Sequence, residues 1–266
     1  MNTSHPTYVR NDNFTGRTWV PAVGSREHFF HFLIGYLLPL VHAQQHCHFN
    51  EFLVLDCGPL MTPILGETLS LLNFKFEIVP PRAIKNPYYL EAWDHGWNST
   101  EAVRKTVCSI YSAYQDYACD QTDCPLSENL LIERSPSHGY YIQGAAEIPG
   151  YGISRRGITN FPEIQDVLIS RGIDHARYEP GRHSLGCQIS SFRHARRIVG
   201  MRGAEWANTI WSQPGLRVRV LYPPYPPVNL LTGFLNRTGV HYEIALVTQP
   251  FAPENPLEVV RFLTEP

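Results

Sequence analysis

The feature that most constrains the fold is an alternation. Short apolar runs of strand character give way to segments of helical period, and the cycle recurs along most of the chain. "EFLVLDCG" (51–58), "KFEIVPP" (75–81), "NLLIERS" (129–135), "IDHARYEP" (173–180), "RIVG" (197–200), "LRVRVLYP" (216–223) and "HYEIALV" (241–247) read as strands. Residues 25–46, 63–74, 100–114, 161–172, 185–195, 204–212, 228–239 and 256–263 read as helices. Such alternation favours parallel sheets with helices on both faces. The polar break "ACDQTDCPLSE" (118–128) separates two series of this kind. The expectation is therefore an α/β chain of two lobes with parallel sheets and a cleft between them. The first lobe would span 1–124 and the second 125–250. The last helix, in 251–266, would pack back on the first lobe, and residues 1–27 read as a polar, extended lead-in.

Composition narrows the function. A chain of 266 residues with 43% apolar side chains can fill the cores of two such lobes. A net charge of −2 gives no global basic field for nucleic acid, and "SFRHARRIVGMRG" is a single basic stretch. "FFHFLIGYLLPLVHA" (29–43) is shorter than the roughly 20 residues of a spanning helix, and it contains His31 and Pro39. It also starts too far into the chain for a signal peptide. A cytosolic or membrane-peripheral location is expected. The six cysteines include no CxxC pair and read as mostly reduced thiols.

The chemistry-bearing residues concentrate in the second series. Arg134 ends its first strand, and Arg155 and Arg156 lie in "GISRRGITNFPEI". Arg193, Arg196, Arg197 and Arg202 surround "RRIVGMRGAEWANTIW", where glycines and an arginine fill the bend between a strand and a helix. Ligands of open α/β sheets bind beyond the carboxyl ends of the strands, and helix N-termini attract anions. Forked guanidiniums converging there suit a diphosphate. Arg134, Arg156 and Arg202, at strand ends and bends, are the candidates, whereas Arg193, Arg196 and Arg197 read as an exposed helix face. In the first series, "HAQQHCHFNE" sets His42 and His46 four residues apart. It lacks a following glutamate and a third ligand at a set distance, so no metal site is expected. "YYLEAWDHGW" carries Glu91 and Asp94 among aromatic side chains that suit either stacking on a ligand ring or core packing.

Taken in order, "LLIERS", "RRGITNFPEI", Gln188 and "RRIVGMRGAEWANTIWSQPG" resemble the family 61 glycosyltransferases. The matching positions are Arg134, Arg156, Asn160, Glu163, Gln188, Gly200, Gly203, Ala204, Asn208, Pro214 and Gly215. "REHFFHFLIGYLLPL", "ETLSLLNFKFEIV" and "FLNRTGVHYEIAL" extend the likeness over most of the chain. Arg202 stands where the family has histidine, and Cys187 where it has glutamate. The resemblance implies a GT-B arrangement of two Rossmann-like lobes, with the donor mainly in the C-terminal lobe and the acceptor over the N-terminal one. It implies inverting, metal-independent transfer from a UDP-sugar, with UDP-xylose and then UDP-N-acetylglucosamine the foremost donors, to a glycan acceptor. No resident cofactor or metal is expected, and "CDQTD" (119–123) is the nearest approach to a metal-binding DxD. Arg134, Arg155, Arg156, Asn160, Gln188, Gly200, Arg202, Gly203, Ala204 and Asn208 are the expected donor-binding set. Inversion in one displacement needs a general base. The family pattern puts His31 first, with Asp94 and Glu91 as rivals. A non-catalytic carbohydrate-binding protein on a degenerate transferase fold is the alternative, separated from an enzyme by titration with UDP.

Overall fold

The computed structural model describes residues 18–21, 26–47, 51–84, 87–91, 93, 100–116, 124–134, 157–223, 229–249 and 251–265. The chain divides into two compact units, 1–118 and 119–266.

The first unit is built on a four-stranded sheet. Its strands are β1 (Thr18–Val20), β2 (Phe52–Leu55), β3 (Phe76–Val79) and β4 (Pro87–Tyr89), all parallel, in the order β3-β2-β1-β4. The three-residue β1 lies inside the expected lead-in, yet it is an inner strand. Thr18 and Trp19 are fully buried. Between β1 and β2 runs one continuous helix, with α1 (Phe29–Phe32) and α2 (Leu38–Cys47) joined by a π-helical turn at Leu33–Leu37. All five residues of that turn are buried. Tyr36 in the turn fastens helix to sheet. Its hydroxyl donates to the Trp19 carbonyl at 2.9 Å and accepts from the Leu55 N–H at 2.7 Å. Helix α3 (Gly58–Leu71) starts five residues before its expected position, despite Pro63. The Asp56 carboxylate accepts from the Gly58 N–H and the Thr62 hydroxyl, which secures the earlier start. Helix α4 (Thr100–Asp116) packs against α2 and α3.

The second unit carries five parallel strands. They are β5 (Asn129–Ile132), β7 (Ala176–Tyr178), β8 (Arg197–Met201), β9 (Arg217–Tyr222) and β10 (His241–Leu246), in the order β7-β5-β8-β9-β10. Numbered within the unit, this is the doubly wound order 2-1-3-4-5. A parallel pair, β6 (Gly157–Ile158) with β11 (Phe251–Ala252), lies beside it. The helices are α5 (Phe161–Ser170), α6 (Leu185–His194), α7 (Asn229–Thr238) and α8 (Pro256–Thr264), with a 3-10 helix at Ala204–Trp211. Ser184 caps α6 by accepting from the Cys187 N–H, and Asn255 caps α8 by accepting from the Leu257 N–H.

Three expectations change. Helix α8, expected against the first lobe, packs its apolar face into the second unit's own core. Val259, Val260, Phe262 and Leu263 join Leu131, Ile164, Leu168, Val199 and Met201 in one buried cluster. Each such side chain contributes roughly 1.5–3 kcal/mol of burial. The Glu265 carbonyl beyond the helix accepts from Arg197 and Arg217 at the entry of β8 and β9. Secondly, among cysteines expected to be mostly thiols, Cys124 is bonded to Cys187, 63 positions further along the chain, with 5.4 Å between Cα atoms. Thirdly, that bond ties residue 124, the expected end of the first lobe, into the second unit. Cys57, buried, and Cys108, exposed, are free.

Candidate functional site

In the second sheet the chain runs from β5 to β7 on one side and from β8 to β10 on the other. The carboxyl ends of β5 and β8, neighbours at that reversal, open the crevice where such sheets bind ligands. The residues that leave those ends are Glu133 and Arg134 after β5, and Arg202, Gly203 and Ala204 after β8. The sheet therefore brings Arg134 and Arg202 to one place, although 67 positions separate them in sequence.

Arg134 is held in position from behind. Its side chain is only 6% exposed, and its Nε donates to Glu205 Oε1 at 3.3 Å. Its Nη1 is buried without a hydrogen-bond partner, as is Oε2 of Glu205. Arg202 is partly buried, with its guanidinium 5.2 Å from the centre of the Tyr222 ring at the end of β9. Burial lowers its pKa from the usual arginine value, the Tyr222 side chain opposes that shift, and nearby Arg134 adds to it. Two close guanidiniums, one short of partners, form a site an anion would stabilise.

Glycine has a specific task at two positions. Gly203 leaves room for the Glu205 carboxylate, since a Cβ there would collide with Oε2. Gly200, directly opposite Ile132, would put a Cβ 2.9 Å from the Ile132 Cβ and 3.4 Å from the Trp206 ring. Gly200 thus serves close packing of β8 on β5, and Trp206 seals the contact by donating to the Met201 carbonyl.

Gln188 and Asn208 lie behind the rim. Asn208 Nδ2 donates to Gln188 Oε1 at 2.8 Å, Gln188 Nε2 donates to the His183 carbonyl, and Asn208 Oδ1 accepts from Trp211. Both are buried, and their hydrogen bonds lock α6 to the 3-10 helix that follows the β8 bend. Asn160 faces the C-terminal segment. Its amide exchanges two hydrogen bonds with the backbone of Glu254, at 2.9 and 3.0 Å, and a third with Glu163. Glu254 in turn pairs with Arg219, and both are buried. Arg155, Arg156 and Asp94 lie outside the described residues.

In the first unit, His31 sits on α1 beside His28 and Phe30, with ring centroids 5.6 Å away in each case. Glu91 is exposed and accepts from the Trp93 indole at 2.8 Å. The Trp93 ring lies 5.3 Å from that of His42, and His46 Nδ1 donates to the His42 carbonyl. Among the described residues no group of three or more His, Cys, Asp or Glu side chains could hold a metal ion. No described helix is long and apolar enough to cross a membrane.

Sequence reasoning missed two residues of the rim, Glu205 and Tyr222. Glu205 stands in the "GMRGAEW" stretch, where the sequence assigns it no role. Tyr222 reads as the end of a buried strand.

The model of the glycosyltransferase 61 family matches residues 29–219, well over half of the chain and every described residue of this rim except Tyr222. A search among curated proteins finds no match. The chain belongs to the glycosyltransferase 61 family, and its activity class is sugar transfer.

Proposed function

We propose that this family 61 glycosyltransferase moves a sugar from a UDP-sugar to a glycan, with inversion and without a divalent ion. Xylose is the first choice of sugar and N-acetylglucosamine the second. The observation that carries this reading is the Arg134–Arg202 pair at the strand-order reversal, with a buried guanidinium nitrogen still lacking a partner. A departing diphosphate needs charge stabilisation, and fixed cations can supply it without a metal. Arg134, Arg202 and the backbone amides of Gly203 and Ala204 would hold the diphosphate. Gln188, Asn208 and Gly200 would keep that bend in place, and Arg155 and Arg156 would add charge from the segment leading into β6.

The first unit would supply the acceptor and the base. His31 is the first candidate, because the family pattern places a histidine there and an imidazole nitrogen can take a hydroxyl proton. His31→Ala should lower kcat about 10²-fold or more, and full activity in that variant moves the role to Asp94 or Glu91. Sequence alone led to a cytosolic or membrane-peripheral expectation. That location is kept as part of the proposal.

The test is a titration with UDP, UDP-xylose and UDP-N-acetylglucosamine, with and without EDTA. Micromolar binding that survives EDTA supports the reading. Binding that requires a divalent ion removes the metal-free part. Retention of free sugar without any nucleotide binding favours a carbohydrate-binding protein.

A further inference from the structure

We propose that Glu205 is a substrate-binding residue whose carboxylate accepts a hydroxyl group of the same ligand whose anionic oxygens Arg134 holds. This rests on the sugar-nucleotide reading above and adds a specificity element to it. Arginine and carboxylate commonly close fork to fork, with two parallel hydrogen bonds. Here the pair makes one, from Arg134 Nε to Glu205 Oε1 at 3.3 Å. One donor, Arg134 Nη1, and one acceptor, Glu205 Oε2, are left buried and unused. Buried polar atoms are normally satisfied, so such a matched couple at a ligand crevice points to the missing partner's chemistry. That partner must offer an acceptor to the guanidinium and a donor to the carboxylate.

The choice of ligand class follows from charge. A metal ion is disfavoured beside Arg134, and the described residues supply no further ligands for one. A bare phosphate offers the acceptor but no hydroxyl group of the kind a sugar carries. A diphosphate attached to a sugar offers both. The chain also fixes the carboxylate: the missing side chain at Gly203 is what lets it lie there. The hydroxyl can belong to the ribose or to the transferred sugar, and the two sources are separable.

The experiment is calorimetric titration of wild type, Glu205→Gln and Glu205→Met with four probes: UDP, 2′,3′-dideoxy-UDP, UDP-xylose and inorganic pyrophosphate. In wild type, UDP should bind about tenfold or more tighter than its dideoxy analogue. In Glu205→Met that preference should fall to about one, with Glu205→Gln in between, because the amide keeps an acceptor oxygen but no charge. Pyrophosphate should bind several-fold tighter in both variants, since Arg134 loses its counter-charge. That gain also shows that the site is folded. If the hydroxyl belongs to the transferred sugar, the preference for UDP-xylose over UDP falls instead. Equal preferences in wild type and both variants, for ribose and for sugar, overturn the proposal while leaving the UDP-sugar reading standing. A wild-type protein that binds none of the nucleotides overturns both.

Discussion

The two units share a plan and differ in what they bury. Each is a parallel sheet with helical connections, ordered 3-2-1-4 in the first and 2-1-3-4-5 in the second. The described buried polar residues of the first unit are neutral: Thr18, Gln44, Thr62, Thr68 and Thr106. Every described buried charge lies in the second: Arg134, Arg219 and Glu254. Taking a charge out of water costs several kcal/mol unless it is well paired. The second unit therefore carries an expense that its fold class does not require, as the first unit demonstrates. Both pairings leave buried polar atoms without partners. Arg219 with Glu254 ties the C-terminal segment down, whereas Arg134 with Glu205 stands past the carboxyl end of β5, at the strand-order reversal.

That contrast can be broken at several points, with amide hydrogen exchange reporting on each unit separately. The largest stability effect should come from the disulfide. Closing a 63-residue loop is worth about 4 kcal/mol by loss of unfolded-chain entropy. Cys187→Ser, or a reductant, should destabilise the second unit by about that amount and leave exchange in β1–β3 unchanged. Next is Arg219→Met, which strands the buried Glu254 carboxylate and should cost about 3 kcal/mol, near the lower end for a broken buried pair. Its signature is faster exchange in β6, β11 and α8. Smaller still is Tyr36→Phe in the first unit. It removes the hydroxyl that joins Trp19 to Leu55, leaves the buried Leu55 N–H unsatisfied, and should cost about 2 kcal/mol. Exchange should rise at Leu55 and not in the second unit. Equal responses of both units to all three changes would erase the distinction.

The legible part of the fold was its period. The longer strands and the amphipathic helices lie where alternation and 3.6-residue spacing put them. Elements of two or three residues carry almost no period, so β1, β4, β6 and β11 were lost among turn residues, although β1 is an inner strand, and only β7 among the shortest strands was read. The C-terminal helix shows its apolar face in sequence but not its partner, which is set by the cluster around Leu131 and Val199. The Cys124–Cys187 bond joins positions too distant for spacing rules to pair. At the site, the sequence pattern found the rim residues Arg134, Arg202, Gly203 and Ala204, because strand ends and glycine bends announce themselves. It did not separate them from Gly200, Gln188 and Asn208, which lie behind the rim, or from Asn160, which binds the C-terminal segment. Those tasks depend on hydrogen bonds across 20 to 94 positions. Glu205 was invisible for the same reason: its partner is 71 positions away.

The central claim is that the arginines at the reversal of the second sheet form the diphosphate site. It is tested most directly by measuring UDP affinity in wild type, Arg202→Ala, Arg134→Ala and His31→Ala. The expected result is at least a tenfold loss in each arginine variant, about 1.4 kcal/mol or more, with the histidine variant unchanged. Unaltered affinity in both arginine variants would contradict the claim and place the anion elsewhere in the molecule.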